Sequence, residues 1–298
     1  MFRTLLLASR PKTLPAAVAP VLAGSALAWR LTGEFSWLLG WCTLLSTVAI
    51  QIATNYFNDA VDAEKGADTR ARLGPLRATA AGLMTTRAML AAGLGMLAVA
   101  VVLSLPLVAT RGWPVVGIGL VSLVFTYGYT GGPVPLAYRG LGEIFVLLFF
   151  GMVAVTGTVF VQTGGWPPEA LLLGTQVGML STVLIAINNL RDREEDAGTD
   201  KRTLAVRFGE RFAKVEIALL CLGPYVMALT VPGMLPGVWP QGAAAVLGAL
   251  VAVRVGMTPP GRIYNQYLAL SALHLVLWTG LTVYGLLRST GAGAGQGP

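Results

Sequence analysis

Nine stretches of roughly twenty apolar residues dominate this chain, near 14–31, 37–57, 88–110, 114–130, 141–162, 170–189, 213–231, 238–256 and 266–287. About 20 apolar residues in a helix cross the hydrocarbon core of a bilayer. Inside lipid, backbone groups must be paired within their own segment, so such runs become helices. The reading is therefore all-α: a polytopic membrane protein with nine transmembrane helices. Composition agrees, because only 12% of residues are charged whereas a soluble domain carries about a quarter. The mean hydropathy is +0.69. The first stretch does not read as a removable signal, since Pro15 and Pro20 interrupt it and no clear small-residue cleavage site follows.

The net charge of +7 raises the question of nucleic acid, and its distribution answers it. With a cytoplasmic N-terminus, only Arg30, Arg111 and Arg288 of the 21 Lys and Arg fall outside. That is the positive-inside asymmetry, and it puts the C-terminus outside. Only Glu34 and Glu169 of the 14 acids fall outside with them. Acids and bases are thus mixed on one face, unlike a nucleic-acid patch, and no nucleic acid is expected. Cys42 and Cys221 lie in apolar runs without a CxxC or Cys/His set, which argues against zinc or haem ligation. His274, alone within the last stretch, reads as a packed, hydrogen-bonded residue.

Two acidic motifs stand at the cytoplasmic ends of the second and sixth stretches: Asn55-Tyr-Phe-Asn58-Asp59-Ala-Val-Asp62 and Asn188-Asn189-Leu-Arg191-Asp192-Arg-Glu-Glu195-Asp196. Asn55 and Asn188, Asp59 and Asp192, and Asp62 and Glu195 keep one offset. Carboxylates close to lipid are costly and default to a functional role. At about 100° per residue, Asn55, Asp59 and Asp62 share a helical face. Asn188, Asp192, Asp196 and Asp200 share another if that helix continues. Gly66 offers a break that swings Asp68 back toward the first set. Two acidic faces around one polyanion fit magnesium and a diphosphate, because magnesium takes few carboxylates and leaves positions for phosphate oxygens. Solvated helix ends are the plainer alternative, but Asn55 and Asn188 lie one turn deeper, where an amide needs a partner.

Bases surround the acids: Lys65, Arg72, Arg77, Arg139, Arg191, Lys201 and Arg202. Arg matches phosphate by paired donors and Lys by a point charge. Arg72, Arg77 and Lys201, close behind the motifs, are read as diphosphate ligands. Arg70, Arg207, Arg211 and Lys214 are read as ordinary positive-inside charge. The loop 127–139 brings Tyr127, Tyr129, Thr130, Tyr138 and Arg139 among glycines and prolines. Its rings serve either as an interfacial belt or as cation–π partners of a carbocation.

These residues together resemble the UbiA superfamily of intramembrane prenyltransferases, and within it the 1,4-dihydroxy-2-naphthoate polyprenyltransferases (MenA) of menaquinone synthesis. The resemblance rests on Arg10-Pro-Lys-Thr-Leu-Pro15, on Gly24-Ser-Ala-Leu-Ala28, and on the first motif continued through Lys65-Gly66 to Asp68. It rests further on Gly74-Pro-Leu-Arg77, on Tyr138-Arg-Gly-Leu-Gly-Glu143 with Phe149-Phe-Gly151, and on the second motif running to Lys201-Arg-Thr-Leu-Ala-Val-Arg-Phe-Gly209. It implies a nine-helix bundle around a central cavity, one domain over 1–290 with a flexible tail at 291–298. It implies that Asn55, Asp59, Asp68, Asn188, Asp192 and Asp196 hold Mg2+ and a polyprenyl diphosphate. Asp62 joins them as a ligand or acts as a base. Many superfamily members carry an Asp where this chain has Gly66; the naphthoate branch shares the glycine and offers Asp68 instead.

The implied reaction transfers the prenyl group to 1,4-dihydroxy-2-naphthoate with loss of CO2 and pyrophosphate, at the plasma membrane with the site facing the cytoplasm. The alternatives are another acceptor, of the 4-hydroxybenzoate, haem or homogentisate type, or a cation transporter. A transporter would place its acids mid-span, whereas these stand at span ends. The Asp-Gly-x-x-Ala-Arg core of CDP-alcohol phosphotransferases is absent.

Overall fold

The computed structural model describes residues 1–67, 73–75, 77–230 and 239–289. Those residues are helical with no strand. The helices are α1 (Phe2–Ala8), α2 (Pro15–Thr32), α3 (Trp37–Glu64), α4 (Thr86–Arg111), α5 (Trp113–Gly128), α6 (Gly142–Thr163), α7 (Pro168–Arg191), α8 (Arg193–Ala197), α9 (Leu204–Thr230), α10 (Pro240–Met257) and α11 (Tyr264–Ser289). Among the described residues seven are long and apolar enough to cross a membrane: α3, α4, α6, α7, α9, α10 and α11. The segment Phe2–Thr13 with α2 forms an eighth candidate, bent by 55°. The remaining expected span, α5, is apolar but has 16 residues, which at 1.5 Å per residue reach about 24 Å. The protein is a multi-pass membrane protein.

Local chemistry sets the helix ends. Pro15, Pro114 and Pro168 sit in first turns, where a missing N–H costs nothing. Ser36 and Thr85 accept from Leu39 and Ala88 as caps. Pro224 inside α9 leaves its carbonyl accepting from Gln176 Nε2 of α7, at 3.0 Å.

The core joins α2, α6, α7 and α11 around the buried Leu27, Leu173, Leu180 and Trp278. A second cluster joins α7, α9, α10 and α11. Helix α6 widens to a π-helical turn over Leu147–Val153, a feature frequent at functional sites. It packs backbone to backbone on α7. A Cβ on Gly151 would lie 2.4 Å from the Gly178 Cα and the Gly174 carbonyl oxygen, and one on Gly178 would lie 2.5 Å from the Leu147 carbonyl oxygen. Only glycine fits that seam.

Candidate active site

A 570 Å³ cavity lies between α2, α3, α4, α5, α6 and α7. Among the described residues its charged lining consists of Arg10, Lys12, Asp59, Asp62, Arg77 and Lys201. Its body is walled by apolar and small residues such as Ile50, Leu107, Ile118, Gly119 and Val153.

Helix α3 continues past its apolar part to Glu64, so the first motif stays helical and Asn55, Asp59 and Asp62 all reach the cavity. Asn55 Nδ2 donates to the Ser9 carbonyl at 2.9 Å and to Thr13 Oγ1 at 3.3 Å. It thereby ties the N-terminal segment over the cavity, beside Arg10, whose φ of 50° is the one left-handed non-glycine conformation among the described residues. Such backbone strain clusters at functional sites. Asp59 is almost fully buried and accepts from the backbone N–H groups of Ala78 at 3.0 Å and Thr79 at 2.7 Å. The chain following the first motif is thus folded back onto the motif's own carboxylate.

Asp62 accepts from Tyr138 Oη at 2.8 Å, and Arg77 Nη2 stands 3.7 Å from its other oxygen. Lys65 donates to the Thr130 carbonyl at 2.7 Å and lies 4.0 Å from the centre of the Tyr138 ring. Burial lowers the pKa of Lys65, and the Asp62 charge opposes that shift. Thr130 Oγ1 donates to Asn58 Oδ1. The 127–139 loop is therefore joined to the first motif at three points.

The second motif departs from a continuous helix. Helix α7 ends at Arg191, and Asp192 takes φ −92° and ψ 6° before the short α8. Arg191 grips both oxygens of Asp192, at 2.7 and 2.6 Å. The same guanidinium donates to Asn188 Oδ1 at 2.6 Å and to Asn265 Oδ1 of α11 at 2.7 Å. Asp196 pairs with Lys201 at 3.1 Å. Asn188 and Lys201 line the cavity; Asp192 and Asp196, both buried, stand behind them. Asp200 is exposed.

Other expected residues lie elsewhere. Tyr127 does not line the cavity; it is partly exposed with its ring edge-on to Phe57 at 5.7 Å. Tyr129, two residues on, supplies the cavity ring instead. Arg139 is exposed, and its carbonyl accepts from Arg207. Asp68 and Arg72, as well as the 291–298 tail, lie outside the described residues.

Three features escaped the sequence reading. Asn265 joins Arg191 to the Leu73 carbonyl, which its Nδ2 reaches at 2.9 Å, and so links both motif regions to the last helix. Glu143 accepts from Asn189 Nδ2 at 2.7 Å. Gln51, one turn below Asn55, extends the polar face of α3 into the cavity.

The oxygens at the mouth, from Asp59, Asp62, Asn58 and Asn188, are hard donors of the magnesium type. Among the described residues no three His, Cys, Asp or Glu side chains form a ready-made metal group. Magnesium commonly takes one or two carboxylates and completes its shell with substrate phosphate and water, so the set fits a metal that arrives with a diphosphate.

Known proteins resemble this chain in sequence and in fold. A 1,4-dihydroxy-2-naphthoate octaprenyltransferase of Mycobacterium tuberculosis is 34% identical over 94% of this chain and 94% of its own length. One of Haemophilus influenzae is 36% identical over 75% of this chain and 77% of its own. A UbiA homolog from Archaeoglobus fulgidus, solved bound to DMAPP and Mg2+, superimposes with a TM-score of 0.62 at 14% identity, over 94% of this chain and 99% of that one. The model of the UbiA prenyltransferase family matches residues 17–260. By that match over most of its length and by relatives above 30% identity, the chain belongs to the UbiA prenyltransferase family.

Proposed function

We propose that the protein transfers a polyprenyl group from its diphosphate to 1,4-dihydroxy-2-naphthoate, with loss of CO2 and pyrophosphate, in menaquinone synthesis. One observation carries the reading: one cavity joins a charged mouth, which among the described residues holds four bases and two acids, to an apolar body. That is the shape of an anion with a hydrocarbon tail. The acceptor follows the relatives that are octaprenyltransferases for this naphthoate. With α5 and the bent N-terminal pair counted as crossings the spans number nine, and the charge asymmetry supports a mouth on the cytoplasmic side of the plasma membrane.

Arg10, Lys12, Arg77 and Lys201 hold the diphosphate by charge, and Arg72 is read as a further diphosphate ligand from its place in the sequence. Asp59 and Asn188 hold Mg2+ with it, supported by Asp68, Asp192 and Asp196. Bound there, magnesium supplies Lewis-acid charge to the leaving pyrophosphate. Asp192 and Asp196 act through Arg191 and Lys201, fixing where those cations point. Asp62, steered by Tyr138, takes the proton of an acceptor hydroxyl and raises the electron density of the ring. The dry apolar body keeps water from the allylic cation, and Tyr129 and Phe149 offer it π faces. Loss of the ring carboxylate as CO2 then restores aromaticity.

The test is 1,4-dihydroxy-2-naphthoate labelled in its carboxyl group. Equal amounts of labelled CO2 and unlabelled prenyl product are expected, with 4-hydroxybenzoate a poor acceptor. Product that keeps the label, or a preference for 4-hydroxybenzoate, assigns another acceptor.

A further inference from the structure

The match to the family model ends at residue 260, yet a side chain beyond it is tied into both motif regions. Asn265, in the first turn of α11, engages both polar atoms of its amide. Its Oδ1 accepts from Arg191 Nη1 at 2.7 Å, and its Nδ2 donates to the Leu73 carbonyl at 2.9 Å and to the Arg262 carbonyl at 3.0 Å. The bond to Arg262 anchors the amide in its own turn. The other two bonds join stretches far apart in sequence. An amide suits that place because it offers an acceptor and a donor side by side.

From Asn265, two series of contacts run to the cavity. Leu73 stands at one end of the loop that carries Pro75 and Arg77, both of which line the cavity. At the other end the N–H groups of Ala78 and Thr79 are held by Asp59. Arg77 is thus placed between two holds, with Asp62 at 3.7 Å. On the second side stands the buried Arg191. Its guanidinium makes two bonds to Asp192, one to Asn188 and one to Asn265. Four of about five N–H groups are thereby engaged, so Arg191 holds its neighbours rather than reaching for a ligand. Asn188, which it holds, lines the cavity. The two motifs approach the cavity from different helices, so groups at the rim set the spacing across the mouth.

We propose that Asn265 is a positioning residue for the donor: it holds the loop that carries Arg77 in register with Arg191 and Asn188, so that both motifs close on one diphosphate. This rests on the diphosphate reading of the mouth given above. Asn265 does not line the cavity itself and acts through Leu73 and Arg191.

The test uses the full-length protein purified in detergent, with both substrates varied and melting curves recorded. Asn265→Ala removes the joint, and because Asn265 is half-buried, water can take up the groups it leaves. Asn265→Asp keeps an oxygen for Arg191 and removes the donor to Leu73, so the buried guanidinium stays paired. Each variant should raise the donor KM about tenfold, the size of one lost hydrogen bond, and leave the acceptor KM unchanged. Arg77→Met alone should also raise the donor KM about tenfold. Combined with either Asn265 variant, Arg77→Met should still give a rise of about tenfold, because residues that act through one another do not add. A combined rise of about a hundredfold would mean independent effects, such as plain repulsion of the diphosphate by the new carboxylate, and would overturn the proposal. An unchanged donor KM in both Asn265 variants would overturn it too. So would a fall in kcat and melting temperature with both KM values unmoved, or loss of folding in both variants, since either marks a merely structural role. A tenfold rise for Arg77→Met with none at Asn265 would remove this proposal and leave the diphosphate reading standing. An unmoved donor KM in Arg77→Met itself would remove both together.

Discussion

Tyr138 Oη donates to Asp62 Oδ1 at 2.8 Å, binding the loop after α5 to the last turn of the first motif. The bond leaves Asp62 one oxygen turned toward Arg77 and fixes the direction of its lone pairs. If Asp62 serves as base, that direction matters to the rate rather than to binding. Tyr138→Phe should lower kcat about tenfold, in keeping with loss of one charge-assisted hydrogen bond, and leave the donor KM near its starting value. Steady-state kinetics with both substrates varied decides this. A change confined to KM would make Tyr138 a substrate contact instead.

Asp192 and Asp59 should differ in how they fail. Arg191 is buried and grips Asp192 with two bonds. Breaking a buried pair by removing one partner costs about 3–5 kcal/mol. Asp192→Asn should therefore lower both turnover and melting temperature. Asp59→Asn keeps an acceptor oxygen for one of the Ala78 and Thr79 amides, so it should abolish turnover with a smaller loss of stability. Melting curves read beside pyrophosphate release check both, and near-native turnover in either variant would break the two-motif site.

Arg77 and Lys201 line the mouth from opposite motifs. Arg77→Met or Lys201→Met should raise the donor KM about tenfold, the loss of one charged hydrogen bond, and leave the acceptor KM unmoved. A shift in the acceptor KM alone would reassign the residue.

Metal dependence is expected to be complete. Chelator should stop pyrophosphate release, and added Mg2+ should restore it, because one or two mouth carboxylates cannot by themselves neutralise a leaving diphosphate. Undiminished activity after exhaustive chelation would remove the metal from the site.

Gly198, exposed beyond the second motif, reports sidedness. A Cys placed there should resist an impermeant thiol reagent in intact spheroplasts and react after lysis. Free labelling from outside would invert the topology.

The helices were legible because long apolar runs allow little else in lipid, and the motifs because carboxylates there are conspicuous. The arrangement inside the second motif was not. Periodicity placed Asp192 and Asp196 on one face of an unbroken helix, but the chain turns at Asp192, and the adjacent Arg191 closes onto it. Nothing local announces that turn. Asn265 was invisible for another reason: a single amide at the start of the last helix has meaning only through Arg191 and the Leu73 carbonyl, both far away in sequence. Tyr127 and Tyr129 are equivalent in composition, and only the end of α5 decides which ring enters the cavity.

The glycine contact between α6 and α7 has a consequence for how this protein can change over generations. Gly151, Gly174 and Gly178 leave no room for even one methyl group, so the side of the cavity that carries Phe145 and Phe149 is held in place by main chain. A lineage that came to use a longer or shorter isoprenoid would have to remodel the opposite side. There, a Cβ added to Gly119 would meet nothing within 4 Å, and Val101, which lines the cavity, is also exposed at the protein surface. Inheritance is rigid on one flank of the chamber and permissive on the other.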